Sequence, residues 1–124
     1  MLQNAPMYSY IPAKDVARAR KFYEEKLGFR PKKVTAGGVV YEFGQGTACF
    51  LYPTPNAGTS QASQAFWEVD DIEQEVAELM ARGVKFEKYD MPDMDEKGIS
   101  TGGGAKAAWF GDTEGNIMAV IQSI

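Results

Sequence analysis

The chain repeats itself, and that repeat limits its fold more than any other feature. Asp15 precedes a pattern in which Val16, Ala19, Phe22, Tyr23 and Leu27 recur at helical spacing, with Gly28 at its end. Asp71 precedes a second pattern, with Ile72, Val76, Leu79 and Met80 on one stripe and Gly83 at its end. An aspartate so placed accepts N–H groups that the first helical turn leaves free, and a glycine takes the left-handed turn that stops a helix. Gln74, three residues after Asp71, can reach back as in a capping box. Cap and stop lie thirteen residues apart in the first half and twelve in the second. A strand candidate precedes each cap (MYSYI, AFWEV) and another follows each stop (FRPKKV, VKFEKY). Two more follow around glycine turns: VVYEF and TACFLY, then KAAWF and NIMAVIQ.

Each half therefore reads β-α-β-β-β, which predicts an α+β fold of two such modules. Module one spans about 7–53 and module two about 64–124; residues 54–63, rich in Pro, Gly, Ser and Thr, link them. One helix covers only one face of its sheet. Pairing two units would enclose the open faces as a curved mixed sheet around a cavity, so a ligand pocket is expected.

A chain of 124 residues with 44% hydrophobic content can bury a core of its own. No apolar run reaches the ~18 residues of a membrane span, and MLQNAPMYSY lacks the basic and apolar regions of a secretion signal. The lone Cys49 has no disulfide partner in the chain, which fits a reducing cytoplasm. The net charge of −4 argues against nucleic acid. Its one dense basic run, Arg18 to Lys21, lies beside acidic residues and reads as a solvated helix face.

Three segments carry a family resemblance that covers about Tyr8 to Ile121: YIPAKDVARARKFYEEKLGF, FWEVDDIEQEVAELMARGV and WFGDTEGNIMAVIQ. Together they resemble the vicinal oxygen chelate superfamily, which includes glyoxalase I, extradiol dioxygenases and bleomycin-resistance proteins. The resemblance implies a ligand position on each of four cavity-facing strands. Here those positions carry Tyr8, Leu51, Gln64 and Ala119. A divalent ion needs imidazole, carboxylate or thiolate donors, and the chain contains no histidine. Shifting each position by one residue rescues nothing. No metal and no cofactor are expected.

Strand alternation predicts a wall of Tyr8, Tyr10, Leu51, Gln64, Phe66 and Ala119, with Cys49, Glu68, Ile117 and Ile121 in phase. Ile11, Trp67 and Val69 would then face the helices. Trp109 either packs in the core or joins the wall. Such a surface suits a flat aromatic or polycyclic molecule held by stacking. The resemblance implies a metal-free binding protein that sequesters an antibiotic-like ligand, as in drug resistance or self-protection, and a homodimer. The alternative is a lyase, isomerase or dioxygenase of the same superfamily, with Glu68 or Glu42 as base. Cys49 lacks a histidine to activate it and reads as a small buried hydrophobe. The segment Tyr89 to Gly104 is acidic and then glycine-rich. It misses the calcium-loop spacing and reads as a plain loop or as a lid carrying Met91 and Met94.

Overall fold

A computed structural model describes residues 1–124. It contains eight strands and two helices. In chain order these are β1 (Tyr8–Ala13), α1 (Val16–Lys21), β2 (Pro31–Thr35), β3 (Gly38–Glu42), β4 (Ala48–Pro53), β5 (Ser63–Glu68), α2 (Ile72–Ala81), β6 (Ser100–Gly102), β7 (Ala105–Gly111) and β8 (Ile117–Ser123). They form two four-stranded sheets, ordered β1-β4-β3-β2 and β5-β8-β7-β6. β1 runs parallel to β4, and β5 runs parallel to β8. All other pairings are antiparallel, so the internal repeat extends to topology.

The helix ends follow their residues. The Asp15 side chain accepts from the Arg18 N–H and that of Asp71 from the Gln74 N–H. The Gln74 side chain donates to Glu78 instead of reaching back, and Gln122 accepts the Ile72 N–H. α1 widens into a π-helical turn over Phe22–Lys26 before Gly28 takes a φ of +77°. That turn brings both Phe22 and Tyr23 into the core. Replacing Asp71 with alanine is expected to cost about 1 kcal/mol of stability in urea unfolding, the usual worth of an N-cap.

One strand differs from the sequence reading. VKFEKY after Gly83 forms only a single bridge, between Phe86 and Phe110. The first strand after α2 is β6, inside the segment that reads as a loop. Residues 84–99 are long enough to cross over the end of α2, and Ile99 packs beneath that helix with Ile72 and Val76.

The two sheets meet at their β1 and β5 edges. Gln64 Nε2 donates to the Tyr10 carbonyl and Asn116 Nδ2 to the Pro12 carbonyl, at 3.2 and 2.8 Å. The linker is anchored there as well. Gly58, at φ +75°, lies so close to the β7–β8 turn that a Cβ would stand 2.5 Å from the Glu114 carbonyl oxygen. The main core forms on the helix side of both sheets. Ile11, Tyr23, Val39, Tyr41 and Leu51 of the first half join Val84, Phe110 and Met118 of the second. The pairing therefore buries the helix-bearing faces against one another. The opposite faces of the two sheets stay open, and the two β-α-β-β-β modules form the α+β fold expected from the sequence. No helix is long and apolar enough to cross a membrane.

Candidate functional site

Register fixes which side chains share the open face of the first sheet. Tyr10 stands beside Phe50, and Tyr8 beside Ala48. Tyr10 packs edge-on to Phe50 at 6.3 Å and against Tyr52 at 4.8 Å between ring centroids. Tyr8 and Tyr10 nonetheless remain 48% and 61% exposed. This face carries rings with no cover, while alternate residues Ile11 and Ala13 fill the core.

Leu51 is not on this face. It is fully buried in the core among Ile11, Val39 and Tyr23, on the α1 side. Cys49 turns the same way. The expectation that both line the open wall is corrected by one residue, and Phe50 and Tyr52 take their place. The signal was available in the sequence. β1 sends aliphatic residues inward and aromatic ones outward, and the same division applied to Cys49-Phe50-Leu51-Tyr52 selects the two rings. Burial pushes the Cys49 thiol up to about 11, and the Tyr41 backbone N–H offsets little of that.

On the second sheet Phe66 stands beside Ala119, and Trp109 stands beside Ala119 from the other strand. Phe66 is 57% exposed, whereas Ala119 is almost fully covered between its larger neighbours. Trp109 lies on the open-face register and contacts Tyr89 edge-on at 5.7 Å. Trp67 points to the other face and packs against Phe29, Phe43 and Phe110. Gln64 spends its amide on the bond to Tyr10. Glu42 is held by Lys32 at 2.9 Å on the surface.

The donor set does not fit a divalent ion. Tyr8, Gln64, Ala119 and either Phe50 or Tyr52 offer no carboxylate or imidazole. Nowhere in the chain do three His, Cys, Asp or Glu side chains come together as a metal site would require.

A second polar cluster, unforeseen from sequence, locks the halves together at the turn Asp112–Asn116. Glu114 is buried, with its side chain closed to solvent. It accepts from Arg18 Nε at 2.8 Å, Arg18 Nη2 at 3.0 Å, the Asp15 N–H at 2.9 Å and the Thr113 hydroxyl at 2.9 Å. Burial alone would push this carboxyl up. Those donors outweigh burial and hold it at about 2, below the ordinary 4.5. The Tyr23 hydroxyl donates to Asp112 at 2.5 Å, and burial together with that carboxylate pushes the phenol well above its usual range. Glu114 and Tyr23 are buried between the modules, whereas Arg18 reaches the surface and is half-exposed.

A model of the Glyoxalase/Bleomycin resistance protein/Dioxygenase superfamily matches residues 6–120. No curated protein sequence matches the chain. Many solved structures share its fold. TnmS3, an antibiotic binding protein from Streptomyces sp. CB03234, is 23% identical; the match covers 100% of this chain and 99% of that one, with a TM-score of 0.75. UcmS2 is 17% identical over 94% of this chain and 96% of its own, also at 0.75. A glyoxalase/bleomycin resistance protein/dioxygenase from Alicyclobacillus acidocaldarius is 17% identical over 98% and 92%, at 0.74. Identities this low speak for the fold alone. The family match spans nearly the whole sequence, and the chain belongs to the glyoxalase/bleomycin resistance protein/dioxygenase superfamily.

Proposed function

We propose that this protein is a metal-free binder of a small planar aromatic or polycyclic molecule of antibiotic-like class. It sequesters that molecule in the cytoplasm and acts as a homodimer, giving drug resistance or self-protection. One observation carries the reading: both sheets present open faces bearing rings, at Tyr8, Tyr10, Phe50, Tyr52, Phe66 and Trp109, with charge limited to Lys33, the Lys32–Glu42 pair and Glu68. Uncovered aromatic surface of this kind marks a binding site. Stacking gives each ring about 1 kcal/mol beyond the area it buries. A second copy laid over these faces would turn an open wall into a closed cleft. TnmS3, which shares the fold, is an antibiotic binding protein, and this class of cargo is consistent with that.

Titration of the purified protein with a panel of planar antibiotics, read by tryptophan and tyrosine fluorescence, tests the reading. Saturable binding to at least one compound is expected, together with a dimer in sedimentation. Absence of saturable binding across the panel counts against it. Tyr10→Ala is expected to weaken binding about tenfold, the worth of one stacked ring. Its stability should change by less than about 1 kcal/mol, because the ring is mostly exposed.

A further inference from the structure

The seam between the modules holds a cavity of about 430 Å³. It opens where the start of β1 and the start of β4 face the end of β5. Ile11, Phe43 and Trp67 are among its apolar walls, and the turn Gly44–Gly46 forms one side. It joins the open face of the second sheet at Phe66 and Glu68, which line both.

Its charge is one-sided. Glu68 and Asp70 line it, and no lysine or arginine does. Neither carboxylate enters any of the chain's ion pairs. Asp70 has a structural reason to be acidic, since it lies next to the cap of α2, where the helix dipole favours negative charge. Glu68, at the end of a strand, has no such reason. Both carboxylates are exposed at the mouth of this cleft, where an acidic group rejects anions and attracts cations.

We infer that the cargo is a cation: a planar aromatic amine whose protonated nitrogen sits by Glu68 while its ring system runs along Trp67, Phe43 and Phe66. This rests on the reading of the open faces as a binding surface for planar cargo and adds the charge that cargo must bear. Glu68 sets the preference for charge, and the rings supply the rest of the affinity.

Three probes of one shape and three charges test this: 9-aminoacridine, acridine and acridine-9-carboxylate, titrated at pH 7 and low salt by calorimetry. The aminoacridine is expected to bind at least tenfold more tightly than acridine, and the carboxylate more weakly than both. Glu68→Gln is expected to erase most of that preference, bringing the affinity for the aminoacridine close to that for acridine, and 0.5 M salt should shrink it because screening shortens the reach of the carboxylate. Location is read at Cys49, the only thiol, which lines the cavity. Saturating aminoacridine is expected to slow its reaction with methyl methanethiosulfonate at least fivefold. Equal affinities for the amine and acridine, or an unchanged Cys49 rate, overturn the inference and leave the wider reading standing. Failure of all three probes to bind overturns both.

Discussion

Phe110→Ala is expected to lower the stability of the protein by about 3–5 kcal/mol, the usual cost of emptying a buried aromatic site. Phe110 is fully buried on β7. It contacts Phe86 at 5.6 Å, Trp67 at 6.3 Å and Phe22 at 6.4 Å between ring centroids. Phe22 belongs to the first half and the other two to the second, so the ring lies where the halves join. Its loss opens a cavity between elements that cannot easily close it, since both sheets are fixed by their ladders. A domain of this size holds about 5–15 kcal/mol in total. The variant should therefore show a sharply lower urea midpoint. If the halves unfold as one unit, the slope of the transition stays unchanged. A loss under 1 kcal/mol would mean that the core does not cross the seam as described.

Glu114 carries the second large effect, and it carries a pH signature. A folded-state value of about 2 against an ordinary 4.5 corresponds to at most roughly 3 kcal/mol, at 1.36 kcal/mol per unit. The half-exposed Arg18 reduces that figure through screening. The sign follows from linkage. The carboxylate is favoured in the folded state, so its contribution is full above about pH 4.5 and is lost as pH falls towards 2. Glu114→Gln is expected to cost about 2 kcal/mol at pH 7, because one buried acceptor of charged hydrogen bonds is replaced by a neutral amide. It should also flatten the fall in stability between pH 4.5 and 2, measured by urea unfolding at several pH values. A variant that loses stability at pH 7 yet keeps the wild-type acid slope would assign that slope to other carboxylates.

The repeat and the helices were legible because their signals are local. A cap, a stop and an apolar stripe fall within one stretch of chain, and Asp15, Gly28, Asp71 and Gly83 each do what their chemistry requires. Faces on β1, β5 and β8 followed from alternation once one residue was placed. β4 was misplaced by one, because a period of two turns a single-residue error into the opposite face. Phe50 and Tyr52, not Leu51, hold the open side. β6 was hidden because Ser100-Thr101-Gly102 has no apolar pattern and pairs only because the turn at Gly103 and Gly104 folds it back on β7. The Glu114 lock could not be read at all. Arg18 and Glu114 are 96 residues apart, and only the packing of α1 on the β7–β8 turn brings them together. Which side the modules would bury against one another was equally non-local, and it decides that one chain offers open walls in place of a closed pocket.

The central claim is that this member of the superfamily holds organic cargo by its rings and needs no metal to do so. Calorimetric titration with the planar ligand that binds best, before and after exhaustive dialysis against a chelator, tests it most directly. The account predicts the same affinity and one stoichiometry in both, with no divalent metal retained by the protein. Binding that vanishes on chelation and returns with one equivalent of a divalent ion would contradict it.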